Sequence, residues 1–254
     1  MAAEAGAKIA PDQTLIYKTA NEVNLRLHVF NPSGHAAGNR RPCIVFFHGG
    51  GFTHGEPSQF YPHGKHLAEH GLVAISAEYR LKKDVAEIDT CISDAKSAMR
   101  WVRSHAAELG VDPKRIAAGG GSAGGHLAAA TATLEGFDDA TDDLTVSCRP
   151  DALILFNPVL DMSPEGYGHE RAVALMGDDW AKISPAQHLA KGIPPTLFLV
   201  GSEDRMVKLP IAKRIEAVAK AAGSRFELEI YDGAKHRFFN SGRKGDIDYY
   251  AITV

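Results

Sequence analysis

The sequence predicts an α/β architecture built on a mainly parallel sheet, and three features carry that expectation. Apolar runs of strand length, such as Cys43-Ile44-Val45-Phe46-Phe47 and Thr196-Leu197-Phe198-Leu199-Val200, are near-continuous rather than alternating, as strands buried on both faces must be. From Arg41 onward these runs alternate with segments of helical period, which is the pattern of a sheet covered by helices on both faces. Several runs also stop at glycine-rich or acidic turns, so polar side chains collect at the C-terminal ends of strands.

Taken in order, Leu25, Leu27 and Val29 alternate with Arg26 and His28 as a half-exposed strand. It follows another near Thr14 to Tyr17, with a turn at Asn21, and the pair makes an antiparallel edge. The polar stretch from Asn31 to Asn39 reads as a surface loop. Within Asp84 to Leu109, the residues Ile88, Ile92, Ala95, Met99 and Val102 form a helical stripe that ends at Gly110 before Pro113. Ile116-Ala117-Ala118 is a strand leading through Gly120-Gly121-Ser122-Ala123-Gly124 into the helix-like stretch Gly125-His126-Leu127-Ala128-Ala129-Ala130.

The segment Met162 to Gly192 lies between two strands, is rich in Gly, Pro and charge around Met176 and Trp180, and suffices for a small lid. Val207, Ile211, Ile215 and Val218 form a second stripe closing at Gly223, and Phe226 to Tyr231 is a further strand. Asp248 to Val254 is expected to begin a final helix that the end of the sequence cuts short. About a dozen residues precede the first strand, too few for a helical cap, so an open site is expected.

A length of 254 residues fits one α/β domain spanning residues 1–254 with a substantial core. A net charge of −3 with 44% apolar and 23% charged residues offers no electrostatic reason for a nucleic-acid or anionic-membrane partner. A small neutral molecule is the default partner. The N-terminus lacks a long apolar core, so neither a signal peptide nor a membrane span is expected. A secreted protein stripped of its leader would look the same, which leaves both the cytoplasm and the exterior open. Cys43, Cys91 and Cys148 read as buried small residues, and nothing in their spacing asks for a disulfide.

The chemistry enters at Ser122. A strand, a glycine-bounded serine and a helix in that order describe a nucleophile elbow, where a side chain two residues either way would collide with the neighbouring backbone. His48-Gly49-Gly50-Gly51-Phe52 follows a strand, and its glycines leave backbone N–H groups free to hold a developing oxyanion. Two later strands end in Gly201-Ser202-Glu203-Asp204 and Asp232-Gly233-Ala234-Lys235-His236. The order oxyanion loop, Ser122, Asp204, His236 is that of one serine-triad fold and not of the others. A serine hydroxyl needs a neutral imidazole to take its proton, the role expected of His236, and a carboxylate to hold that ring's tautomer. Glu203 and Asp232 compete with Asp204 for the last part.

Joined, His48-Gly49-Gly50-Gly51, Glu78-Tyr79-Arg80-Leu81, Gly121-Ser122-Ala123-Gly124-Gly125, Gly201-Ser202-Glu203-Asp204 and His236 give a chain that resembles the α/β-hydrolase superfamily. Within it the resemblance is to the hormone-sensitive-lipase-like carboxylesterases, over about residues 40 to 240. It is similar to compact acetyl esterases, including those that deacetylate plant polysaccharides. The resemblance implies the α/β-hydrolase fold: a mainly parallel eight-stranded sheet with helices on both faces and a minimal lid. It implies Ser122, Asp204 and His236 as the triad, Gly50, Gly51 and Ala123 as oxyanion donors, no cofactor, and short acyl esters of a small alcohol or carbohydrate as substrates.

Phe52, Trp180 and Phe238 are candidates to line the acyl or alcohol pocket, with core packing as the alternative for each. His48 is expected to shape its loop, and Tyr79 with Arg80 to form a hydrogen-bonding pair beneath it. His63, His66 and His70 have helical spacing that mimics a metal site, but no step of this chemistry needs a metal. Two other functions stay open: an oligopeptidase-type serine hydrolase, for which no propeller is encoded, and a non-catalytic small-molecule receptor, which typically lacks the histidine retained here.

Overall fold

The structure, a computed structural model, describes residues 9–20, 22–81, 87–242 and 247–253. The strands are β1 (Gln13–Ala20), β2 (Val23–Phe30), β3 (Arg41–Phe47), β4 (Val73–Ala77), β5 (Val111–Gly121), β6 (Ala152–Phe156), β7 (Thr196–Gly201) and β8 (Phe226–Tyr231). They form one sheet in the order β1-β2-β4-β3-β5-β6-β7-β8. The β1–β2 and β2–β4 pairs are antiparallel and every later pair is parallel. This is the mostly parallel α/β sheet expected, with its antiparallel edge where Leu25, Leu27 and Val29 alternate.

Strand side chains point alternately to the two faces, and the sheet sorts its apolar residues accordingly. Val45, Phe47, Ile75, Ala118, Leu155 and Val200 join one core, whereas Ile44, Phe46, Ala74, Phe156 and Leu199 join another. Helices α2 (Ile88–Ser104), α3 (Ala123–Thr133) and α5 (Leu209–Ala221) contribute to the first; α1 (Tyr61–Glu69) contributes Ala68 to the second. Between β6 and β7 lie α4 (His169–Met176) and two 3-10 turns, Gly177–Ile183 and Pro185–Lys191, in the segment expected as a lid. A short α6 covers Tyr249–Thr253.

Some local expectations need correction. The helix that carries Ile88 to Val102 begins at Ile88 and ends at Ser104, so Leu109 lies in the turn beyond it; Asp84 and the turn residue Asn21 lie outside the described residues. In α5 the stripe is Ile211, Ala212, Ile215 and Ala219, while Val218 is exposed and Val207 is buried ahead of the helix. Tyr79 and Arg80 do not pair with each other. The Arg80 guanidinium instead forks onto Asp94, with Nε–Oδ2 at 2.8 Å and Nη2–Oδ1 at 2.7 Å, and Lys18 reaches the same carboxylate at 2.9 Å. Cys43 and Cys91 are buried, Cys148 is partly so, and all three are free thiols. Among the described residues no helix is long and apolar enough to cross a membrane.

Candidate active site

Central strand β5 delivers Ser122, the residue between its last glycine and the start of α3. Ser122 has φ 55° and ψ −117°, a left-handed backbone that a residue with a Cβ adopts only under constraint. The constraint is visible. Its N–H donates to Phe156 O at 3.0 Å, and its carbonyl accepts from His126 N at 3.0 Å and Val159 N at 3.2 Å. The turn also demands glycine on either side. A Cβ on Gly124 would lie 1.9 Å from Phe47 O, and one on Gly120 would lie 2.5 Å from the Gly124 carbonyl. The helix therefore starts hard against β3, and the serine hydroxyl is held at the helix N-terminus.

His236 follows β8 and meets Ser122 from the opposite side. Its Nε2 is 2.9 Å from Ser122 Oγ and its Nδ1 is 2.8 Å from Asp204 Oδ2. A carboxylate only accepts, so Nδ1 carries the proton and Nε2 is left to accept from the serine hydroxyl. The remaining oxygen of Asp204, Oδ1, accepts the N–H groups of Met206 at 2.8 Å and Val207 at 2.9 Å, which fixes the carboxylate after β7. The competing acids face elsewhere: Glu203 is exposed towards Lys235 at 3.9 Å, and Asp232 accepts from Ser202 Oγ at 3.0 Å.

The loop after β3 is bonded carbonyl by carbonyl. Tyr79 donates its hydroxyl to His48 O at 2.8 Å while its ring stacks on His48. His48 Nδ1 donates to Gly49 O at 2.8 Å, and Gly50 O accepts from Thr53 N and His54 N, each at 3.2 Å. In a trans peptide each carbonyl points opposite to the next residue's N–H. Holding the carbonyls of Gly49 and Gly50 therefore turns the N–H groups of Gly50 and Gly51 away from the loop's own bonds. Among the described residues neither of these donors, nor Ala123 N–H in the first turn of α3, has an acceptor. Burial keeps His48 neutral by pushing its imidazole down to about 4.

Two cavities meet at Ser122 and share Gly51, Tyr167 and Met206. One, of about 550 Å3, is lined by His236 and by polar residues that include Glu56, Gln59 and Asn240. The other, of about 580 Å3, is lined by Phe52, Ala123, Val159 and Met162, with His169 and Arg171 at its lid side. Of the three candidate lining aromatics, Phe52 stands in this wall. Phe238 does not: it is buried in the second core beside Tyr231 and Phe239. Trp180 packs edge-on against His169 and the first core, one layer behind the wall.

His63, His66 and His70 do not converge. His63 is enclosed by aromatic rings, whereas His70 Nδ1 donates back to His66 O. The described residues contain no cluster of three His, Cys, Asp or Glu side chains placed to hold a metal ion.

Three polar residues near the site were missed from the sequence. Asn157, buried directly after β6, accepts the Arg237 N–H at 3.0 Å and so holds the peptide next to His236. Its position at a strand end was the one available signal. Gln59 accepts Gly49 N–H at 2.7 Å and donates to Asn240 at 3.0 Å, joining the glycine loop to the histidine loop. Arg171 donates to Gly51 O from α4. Neither Gln59 nor Arg171 sits in any local motif.

Known proteins share this arrangement of fold and sequence. A propionate-bound structure of a thermophilic esterase from Thermogutta terrifontis is 41% identical, superposes with a TM-score of 0.89, and covers 95% of this chain and 90% of its own. The same esterase phosphorylated by paraoxon is 40% identical with a TM-score of 0.87, over 95% of this chain and 90% of that one. LipM of Mycobacterium tuberculosis, a probable carboxylic ester hydrolase, is 30% identical over 68% of this chain and 43% of its own length. Carboxylesterase NlhH of the same organism is 39% identical over 37% of this chain and 29% of its own. The chain thus spans under half the length of the curated relatives it matches. With residues 27–217 matching the BD-FAE family and a solved esterase superposing along nearly all of its length, the chain belongs to the BD-FAE family of α/β-hydrolase esterases.

Proposed function

We propose that this protein is a serine carboxylesterase that hydrolyses short-chain, acetyl-type esters through an acyl-enzyme intermediate, within a single α/β-hydrolase domain. The observation that carries the reading is the continuous relay from Ser122 Oγ through the His236 ring to the Asp204 carboxylate, at 2.9 and 2.8 Å.

In this scheme Ser122 Oγ attacks the ester carbonyl carbon as its proton passes to His236 Nε2, and the carbonyl electron pair moves onto oxygen. The N–H groups of Gly50, Gly51 and Ala123 receive that oxyanion, each contributing about 3 kcal/mol on the scale of single-donor deletions. The α3 N-terminus adds its positive dipole end at the same point. Collapse breaks the bond to the alcohol oxygen, which takes the proton from His236. Water then repeats the sequence on the acyl-serine and frees the acid.

The proton donor assigns the two cavities. The leaving alcohol must lie beside His236 Nε2, hence in the cavity lined by Glu56, Gln59 and Asn240, and the acyl group in the cavity walled by Phe52, Val159 and Met162. Hydrogen-bonding side chains on the alcohol side favour a hydroxylated leaving group such as a sugar. The Thermogutta terrifontis esterase has been solved with propionate and with butyrate bound, which supports a short acyl group here.

Aryl acetate, butyrate and decanoate esters test the acyl preference, and a preference for decanoate would contradict it. An organophosphonate probe should add its mass at Ser122, and Ser122→Ala should lose nearly all activity. Acetylated xylan and acetylated monosaccharides, set against simple aryl acetates, test the alcohol side.

A further inference from the structure

We propose that Arg171 is a positioning residue: from lid helix α4 its guanidinium clamps the exit of the oxyanion loop, fixing the Gly51–Phe52 peptide that directly follows the Gly51 N–H donor and so limiting how far that donor can turn. Its kinetic consequence rests on the esterase reading above; its structural consequence does not.

The exit is the strained part of the loop. Gly51 and Phe52 follow one another with φ 61° each, and Phe52 carries a Cβ that disfavours this region. A chain in that state relaxes unless its neighbours forbid it. Arg171 supplies two such restraints at once. Nη1 donates to Gly51 O at 2.5 Å, which fixes the Gly51–Phe52 peptide plane, and the guanidinium carbon lies 5.4 Å from the centre of the Phe52 ring. Beneath the ring, His126 meets it edge-on at 5.3 Å. Phe52 is thus held between α3 and the lid.

The other restraints on this loop come from close by. The Gly49 and Gly50 carbonyls are held by His48, Thr53 and His54, and the entry of the loop by Tyr79 and Gln59. Arg171 alone brings the lid into this set among the described residues, from 120 positions along the chain. The geometry of the anion-binding amides is therefore linked to the seating of α4. The remaining contact, Arg171 Nη2 to Glu87 at 3.5 Å, is half-exposed; an ion pair of that kind contributes little, and serves to aim the guanidinium. The bond to Gly51 O is charge-assisted, and it uses the fork of an arginine to reach two partners that a lysine cannot span together.

Arg171→Ala and Arg171→Lys test the clamp through steady-state kinetics on a short-chain aryl ester, thermal unfolding, and amide hydrogen exchange at Thr53 and His54. Those two N–H groups bond to Gly50 O, so their protection reports the loop. Arg171→Ala is expected to lower kcat roughly ten- to hundredfold, as a misplacement of about 1 Å would. KM should stay within about threefold, because the loss falls on the transition state. Exchange at Thr53 and His54 should quicken about tenfold. Arg171→Lys should recover part of kcat. If the alanine variant does not fold, Arg171→Met, which keeps the alkyl stem over Phe52, takes its place. An unchanged kcat with a raised KM would reduce Arg171 to a cavity wall and overturn the proposal, as would unchanged exchange. A wild-type protein with no esterase activity would overturn the functional reading, and the exchange result would still judge the clamp.

Discussion

Lowering the pH from about 7.5 to about 5 should remove much of this protein's stability through three buried histidines, and the size of the effect follows from their surroundings. His63 is enclosed by Phe60, Phe156, Phe239 and Tyr250, and neither of its ring nitrogens has a hydrogen-bond partner among the described residues. His126 donates through Nδ1 to Val159 O at 2.9 Å but leaves Nε2 unpaired, and His48 is sealed beneath Tyr79. Burial lowers His63 to about 3 and His48 and His126 to about 4, from an ordinary value of 6.5. Unfolding restores the ordinary value. Between 6.5 and these folded values the unfolded chain binds more protons than the native one, so stability is intact above 6.5 and is lost as the pH falls.

At about pH 5 each histidine then costs about 2 kcal/mol, and the three together about 6, against a total of about 5–15 for a domain. For a chain of this length that is a fall in Tm of about 12–24 °C. Calorimetry at the two pH values measures it directly. The controlled comparison is His63→Phe, which suits an aromatic enclosure and removes one titration; its Tm should fall by about 4–8 °C less than that of the wild type. Parallel pH profiles for the two proteins would refute the reasoning.

Two other substitutions probe the site and the fold. In Asp204→Asn the amide oxygen is kept by the N–H groups of Met206 and Val207, so its NH2 faces His236 and forces the proton onto Nε2, against the serine. The expected loss in kcat on a short-chain ester is roughly 10³–10⁴-fold, and a variant within tenfold of the wild type would exclude this tautomer argument. Asp94→Ala leaves the buried Arg80 guanidinium and the Lys18 ammonium without the carboxylate they share, and should cost about 3–5 kcal/mol in urea unfolding. A loss below about 1 kcal/mol would show that the two cations find water or other partners.

What could be read along the chain was whatever depends on a few consecutive residues. The buried strands announced themselves as apolar runs, and the order of Ser122, Asp204 and His236, each just past the end of a strand, pointed to one corner of the sheet. Misreadings arose where the neighbour is distant in sequence. Phe238 lies two residues from His236, yet its ring turns into the second core, because Arg237 between them has a left-handed backbone with φ 67°. Arg80 stands next to Tyr79 but answers to Asp94 on α2, and Val218 continues an apolar period yet faces outward.

The sequence by itself determined the strand–serine–helix turn, because the glycines bracket Ser122 within five residues and a Cβ on Gly120 would meet the Gly124 carbonyl, a demand that is local. It likewise determined the alternation of elements, which follows from the two periodicities of apolar residues. Only the tertiary structure decided which carboxylate bonds His236, which aromatic ring walls a cavity beside Ser122, and that an arginine on the lid reaches Gly51. These are matters of direction between segments far apart in sequence, and direction is set by sheet twist, crossover and packing, none of which a run of neighbouring residues contains.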